Sequence, residues 1–214
     1  MVTILWILLA YGSYQIGWQL QLQDPDPKLS DTLQRKCCKW QHLIVFAYLL
    51  LFRWAEICQS EQREVMQITQ AYMIGSLLLA AWIDHYIQLI PDMVYVPGLA
   101  GGILWLIYYD PGVDIVINLL IFVTIQILIF RRLYGESDCL AYILCAAYLA
   151  GCGKQLIDYL LFMLLTVLME LIVQIKKKNI SHGKLRKPVP LIPYMMGAML
   201  LYRFILIFFG GFNK

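Results

Sequence analysis

Two aspartates lie at the edges of long apolar stretches. A carboxylate is energetically costly there, so its presence suggests a function. Asp84 follows the apolar run 73–83, and Asp138 comes before the apolar run 140–149. A carboxylate within a bilayer costs roughly 2.5–3.5 kcal/mol on insertion scales, so such residues often mark functional sites. Two carboxyl groups that share a proton can hold and activate a water molecule. The two residues therefore predict acid–base hydrolysis by a pair of aspartates.

The composition indicates which elements must position this pair. Of the 214 residues, 61% are hydrophobic and only 14% are charged, and the mean hydropathy is +0.67. Backbone groups in lipid are satisfied only within helices or closed barrels, and continuous apolar runs exclude the alternating pattern of a barrel. The sequence therefore predicts an all-α polytopic membrane protein with a single membrane-embedded domain over 1–214. Its solvent is the lipid bilayer, and no metal, cofactor or nucleic acid is expected.

Eight transmembrane helices are predicted from the apolar runs. A straight span needs about 20 residues, so the sixth is short unless Asp138 and the residues before it extend the helix. The first span has no charged region before it and no cleavage site, which predicts a retained helix and not a signal peptide. The predicted spans are 3–22, 40–59, 65–88, 93–109, 113–130, 139–151, 156–175 and 189–209.

Basic residues cluster in alternate loops and predict the orientation. They lie in the segments 28–39, 131–132 and 176–187. The positive-inside rule makes these loops cytoplasmic and both termini external. The end of the third span and the start of the sixth then lie on the same side. Asp84 and Asp138 are therefore both expected at the cytoplasmic face.

Three stretches resemble the signatures of a known family in order and in spacing. The first reads Asp-His-Tyr-Ile-Gln-Leu-Ile-Pro-Asp over 84–92 and is followed by Pro97-Gly98. The second is Gly-Glu-Ser-Asp over 135–138, and the third is Val-Pro-Leu-Ile-Pro over 189–193. Over about 76–201, the chain resembles type IV prepilin peptidases, in a compact form without the zinc-binding cytoplasmic insertion.

The resemblance implies an aspartic endopeptidase of the cell membrane, with Asp84 and Asp138 as catalytic residues facing the cytoplasm. Its substrate would be a prepilin-like or pseudopilin-like protein, with a short basic leader before a hydrophobic helix. Asp92 and Glu136 are expected to attract the basic residues of that leader. The motif residues expected to support the pair are Pro91, Asp92, Gly135, Glu136, Ser137, Pro190 and Pro193.

The chain also departs from the family pattern. Ser137 replaces the second glycine of Gly-x-Gly-Asp, which is tolerated only where the backbone needs no positive φ. Leu140 replaces a lysine whose charge could lower the pKa of Asp138. Cys37, Cys38 and Cys58 do not make a four-ligand zinc set. Neither a zinc site nor N-methylation of the product is therefore expected.

Structural interpretations compete with the catalytic one. Asp138 could cap its own helix, and Asp92 is expected to cap the helix that follows it. Asp84 lies near the C-terminal end of its helix, where it cannot cap that helix. Arg53 and Glu56 lie deep in a span and need partners.

Two other functions remain open for the whole chain. One is a catalytically degenerate scaffold or transporter on the same helices, although no repeat symmetry typical of transporters is visible. The other is a different Gly-x-Gly-Asp intramembrane protease, which would lack the Ile-Pro-Asp turn and the proline-rich last helix.

Overall fold

The computed structural model is a bundle of helices, which confirms the all-α prediction. It describes residues 2–23, 30, 32–33, 40–58, 64–109, 111–176, 180–181, 184–185 and 189–210. Much of the basic loops and the pair Cys37-Cys38 lie outside these ranges. A two-residue hairpin, β1 (Ile180–Ser181) with β2 (Lys184–Leu185), accompanies the helices.

Within the described residues, eight helices make up the bundle, one for each predicted apolar segment. A 3₁₀ turn, Asp92–Tyr95, leads into the fourth, and a π-helical turn, Gln126–Phe130, lies within the fifth. Most predicted ends differ from the observed ones by one to four residues. The helices are α1 (Val2–Leu22), α2 (Gln41–Ile57), α3 (Glu64–Ile87), α4 (Val96–Tyr109), α5 (Val113–Tyr134), α6 (Glu136–Gly151), α7 (Leu156–Lys176) and α8 (Ile192–Gly210).

Helices α3 and α6 form the centre of the bundle. Helix α3 packs against α1, α4, α6 and α8, and α6 also contacts α5 and α7. Among the side chains that the structure describes, the exposed large hydrophobic residues all lie outside these two helices. The other six helices expose apolar side chains on their outer faces. The two predicted catalytic aspartates therefore lie on the two most enclosed helices.

Two helices, α5 and α7, are long and apolar enough to cross a membrane, judged over the described part of the chain. Helices α4 and α8 contain shorter apolar segments. Helix α6 begins at Glu136, three residues before the predicted start at 139, and it includes Asp138, as the extension suggested for the short sixth span requires. The expectation of eight transmembrane helices stays a prediction.

Small residues allow α1 and α4 to approach the central helices closely. A Cβ atom added at Gly75 of α3 would lie 2.6 Å from the carbonyl oxygen of Ala10 in α1. A Cβ added at Gly98 of α4 would lie 2.9 Å from Leu144 and 3.1 Å from Ser76. A larger residue at Gly98 would push α4 away from both central helices, so this glycine helps to hold the 3₁₀ turn beside α6.

Candidate active site

Asp84 lies in the last turn of α3 and points at the start of α8. Its side chain is buried, and Oδ2 accepts a hydrogen bond from the Ile192 N–H at 3.0 Å. The N–H of Leu191 also acts on this carboxylate. The first N–H groups of a helix have no partner within the helix. Asp84 therefore caps α8, a role hidden in the sequence because the two residues are far apart along the chain.

This contact favours the charged form of Asp84. The N-terminus of a helix carries a partial positive charge that stabilises an anion beside it. Pro190 lies just before α8, and Pro193 lies in its first turn, where a missing N–H costs no helical hydrogen bond. The two prolines of the third signature thus mark the helix start that faces Asp84.

Asp138 lies in the first turn of α6, at the same end of the bundle. The Asp84 and Glu170 carboxylates both act electrostatically on Asp138 and favour its protonated form. Asp84 and Asp138 thus lie within electrostatic range of each other, although they come from different helices. We call these two residues the aspartate pair.

The turn before Asp138 has a backbone conformation that favours the glycine found there. Gly135 has a φ of +109°, which favours glycine, and it precedes the first residue of α6. Ser137 is not among the described non-glycine residues with positive φ. Serine can therefore replace the second glycine of the family motif, because the backbone at this position does not need a positive φ. The helix has no side-chain cap, so the interpretation of Asp138 as its N-cap is wrong.

Tyr95 joins the 3₁₀ turn to the start of α6. Its side chain is buried, and its hydroxyl donates to the carbonyl oxygen of Ser137 at 2.9 Å. Both carboxylates of the aspartate pair act electrostatically on Tyr95. No motif in the sequence singled this residue out. Its position fixes the backbone one residue before Asp138.

The remaining motif residues lie at the surface. Pro91 is the N-cap residue of the 3₁₀ turn that leads into α4, and no side chain forms a capping hydrogen bond there. The prediction that Asp92 caps the helix that follows it is therefore wrong. Asp92 is exposed. Glu136 is exposed and pairs with Arg131, with Nη2 and Oε1 at 2.8 Å. Part of the Glu136 charge is thus already compensated, and its predicted attraction for a basic leader stays a prediction.

Glu170 is a third acidic residue of this region that the sequence reasoning did not assign to the site. It lies on α7, and its charge acts on Asp138, Tyr134 and Tyr194. Because Glu170 is far from Asp138 along the chain, the sequence did not indicate that the two carboxyl groups interact. An additional carboxylate beside Asp138 favours the protonated form of that residue.

A second group of buried polar residues joins α2 to α3. Arg53 donates to Glu56 at 2.9 Å and to the side-chain oxygen of Gln67 at 2.7 Å. Both charged side chains are buried, and the prediction that they need partners is confirmed. The other oxygen of Glu56 accepts a hydrogen bond from the Tyr148 hydroxyl on α6.

Arg203 of α8 completes this second group. It donates to the Tyr148 hydroxyl and, at 2.7 Å, to Cys152 Sγ. We call Arg53, Glu56, Tyr148 and Arg203 the arginine cluster. On α6 and α8 its members lie toward the helix ends opposite to Asp138 and Ile192. The bundle therefore has a cationic polar centre near one end and an acidic one near the other.

Comparison of the chain with models of known protein families, with curated proteins and with solved structures found no match.

Proposed function

We propose that the protein is a membrane aspartic endopeptidase that removes the leader of prepilin-like or pseudopilin-like proteins. The observation that carries this proposal is that Asp84 and Asp138 lie at the same end of the two central helices, which pack against each other, within electrostatic range of one another. Paired carboxyl groups with different environments suit acid–base hydrolysis, since one can be charged while the other holds a proton.

The environments of the two residues suggest their roles. Burial opposes the charge of Asp84, but the N–H groups at the start of α8 favour it, so Asp84 is assigned as the charged member that takes a proton from the attacking water. Asp138, beside two other carboxylates, is the protonated member and donates a hydrogen bond to the scissile carbonyl. Water adds to the carbonyl carbon, the C–N bond breaks, and a proton held by the pair passes to the leaving amine. No metal or cofactor takes part in this scheme.

The proposed setting is a lipid bilayer, with all eight helices embedded and the aspartate pair facing the cytoplasm. The apolar outer faces of six helices and the two helices of spanning length support it. Contiguous exposed apolar surface on this scale is typical of a membrane-facing surface. The basic loops support the orientation through the positive-inside rule.

The substrate class depends on the resemblance of the three motifs to prepilin peptidases. Two structural features agree with that resemblance: the positive φ of Gly135 and the helix start at Pro193, which faces Asp84. N-methylation of the product is not part of the proposal.

Cleavage of a co-expressed prepilin-like substrate tests the function. Asp84→Asn should abolish cleavage because asparagine cannot take the proton from water. Its side-chain oxygen can still accept the Ile192 N–H, so the cap of α8 and the amount of protein in the membrane should be retained. Asp114→Asn is the matched control, since Asp114 is an exposed aspartate in the first turn of α5.

The contact of Asp84 with α8 also favours a second candidate, a non-catalytic scaffold in which Asp84 only holds two helices together. In that case neither the parent nor Asp84→Asn would cleave the substrate, and Asp84→Asn would support its partner normally, because the cap survives. An intact parent that does not cleave, with its function kept in Asp84→Asn, would therefore leave the scaffold, and normal cleavage in Asp84→Asn would equally sink the peptidase proposal.

A further inference from the structure

Glu170 lies on the face of α7 that points into the bundle. Helix positions four residues apart share a face, and the buried Phe162 and Gln174 lie two turns before and one turn after Glu170. The Phe162 ring packs against the Tyr142 ring of α6, with centroids 6.0 Å apart. Gln174 donates to the Tyr194 hydroxyl of α8 at 3.4 Å. Since Glu170 comes between these two contacts, its side chain belongs to the side of α7 that faces α6 and α8.

Glu170 has no cation paired with it among the residues that the structure describes. The two ion pairs found there belong to the arginine cluster and to Glu136 with Arg131. The Glu170 side chain is only partly exposed. A desolvated carboxylate without an opposite charge costs stability, and acidic residues that face the interior of a membrane protein usually serve a function. The site is therefore incomplete until a ligand supplies a positive charge.

Two partly exposed tyrosines accompany this carboxylate. The charge of Glu170 acts on Tyr134, at the end of α5, and on Tyr194, in the first turn of α8. The Tyr134 ring is stacked on the Phe130 ring, which holds its orientation. Carboxylates bind ammonium and guanidinium groups through charge-assisted hydrogen bonds, and tyrosine rings attract the same groups through their π faces. The chemistry of the three side chains thus specifies a cation.

The site of Glu170 adjoins the aspartate pair, because the charge of Glu170 also acts on Asp138. Salt screens the interaction of charges that are more than about 10 Å apart. An extended peptide advances about 3.3 Å per residue. A cationic side chain at Glu170 would therefore belong to a residue within about three positions of the peptide bond that lies at the aspartate pair.

We infer that Glu170, with Tyr134 and Tyr194, binds a lysine or arginine side chain of the substrate close to the scissile bond. The inference rests on the proposed function. It gives the recognition of positive charge to a carboxylate on the inner face of α7, whereas Asp92 and Glu136 are exposed. Exposed charges are screened by water and salt, so they steer a ligand more than they select it.

Equilibrium binding of paired peptides to the full chain in lipid nanodiscs tests the inference. The probes are fluorescent peptides with a reduced bond at the cleavage point, so that the parent protein binds them without turnover. Each pair has either lysine or norleucine at one position, taken in turn over three residues on both sides of that bond. Norleucine keeps most of the length of lysine but has no ammonium group, so the ratio of the two Kd values measures the recognition of charge.

At the matching position, the parent should bind the lysine peptide on the order of tenfold more tightly than the norleucine peptide. Glu170→Gln should abolish this preference by raising the Kd of the lysine peptide alone. A general disturbance of the fold would instead weaken both peptides. Glu170→Asp, which keeps the charge, should retain part of the preference. Asp114→Asn is the matched control, because it removes an exposed carboxylate at the other end of α5 and should keep the full preference.

The tyrosine rings are tested in the same way. Tyr134→Leu removes a ring and should raise the Kd of the lysine peptide about two- to threefold, with no change for the norleucine peptide. Tyr134→Phe keeps the ring and should bind like the parent. Equal weakening of both peptides in Tyr134→Leu would remove this tyrosine from the cation site.

Equal affinity of the parent for both peptides at every position would overturn the inference, as would a preference that persists in Glu170→Gln. A preference lost in Glu136→Gln but kept in Glu170→Gln would also overturn it and would give the cation to the exposed carboxylate. Failure of the proposed function appears separately, as cleavage that survives Asp84→Asn. A parent that binds neither peptide would overturn both.

Discussion

The two polar centres of this bundle share helix α6 but have opposite electrostatic character. In the arginine cluster, each charged group lies beside an opposite charge or a strong hydrogen-bond partner. In the aspartate pair, two like charges lie near each other with Glu170 in addition. Among the described residues, no lysine or arginine forms an ion pair with either aspartate.

This difference separates a stabilising role for the arginine cluster from the chemical role proposed for the aspartate pair. A buried charge that loses its partner destabilises a fold strongly, so the arginine cluster holds α2, α6 and α8 together as long as it is complete. Like charges held together cost stability but shift protonation, which is what acid–base chemistry requires. Substitutions in the arginine cluster should therefore mainly affect stability, and substitutions in the aspartate pair should mainly affect cleavage.

The largest expected effect is the loss of cleavage in Asp138→Asn. Removal of an acid–base group lowers a rate by roughly 10²–10⁴-fold. The melting temperature should stay the same or rise, since one of the neighbouring carboxylates is gone. Cleavage rate and thermal unfolding of the purified protein measure the two quantities. A stable variant that still cleaves at the normal rate would remove Asp138 from the site.

At the other end, Glu56→Gln should mainly affect stability. It leaves the buried guanidinium of Arg53 without its carboxylate, which is expected to cost about 3–5 kcal/mol in the free energy of unfolding. Denaturant unfolding in detergent measures this change. Glu136→Gln is the control, because its ion pair with Arg131 is exposed and should contribute little. Equal stability of both variants would show that the arginine cluster does not hold the helices together.

Tyr95→Phe should have a smaller effect, on both the cleavage rate and the stability. The lost hydrogen bond to the Ser137 carbonyl is worth about 1 kcal/mol, and the start of α6 should become less well positioned. Cleavage should then slow by a few fold, with a small drop in melting temperature. Tyr108→Phe, at an exposed position on α4, serves as the control. A full rate in Tyr95→Phe would rule out a positioning role for this hydroxyl.

The smallest expected effect is a shift of the pH profile in Glu170→Gln. The proposed mechanism needs protonated Asp138, so cleavage should fall as the pH rises and Asp138 loses its proton. Because the charge of Glu170 favours protonated Asp138, its removal should move the alkaline limb of the profile to lower pH. Cleavage rates measured across the pH range test this. An unmoved limb, or a shift toward higher pH, would show that Glu170 does not act on Asp138.

The amino-acid sequence by itself determined the class of fold and the end of the bundle to which the aspartate pair belongs. The composition predicted helices, and the apolar runs predicted eight segments, each of which contains a helix. The spacing of the turns placed Asp84 and Asp138 at the same end. These features are local, since hydrophobic runs and turn residues act through their near neighbours in the chain.

Only the tertiary structure decided which distant groups meet. The cap that Asp84 provides to α8, the approach of Glu170 to Asp138 and the bond from Tyr95 to Ser137 all join different helices. No spacing in the chain encodes these contacts, because they depend on how the helices rotate and pack. Side-chain shape at close approaches such as Gly98 sets that packing, and it therefore decides the chemistry of the site.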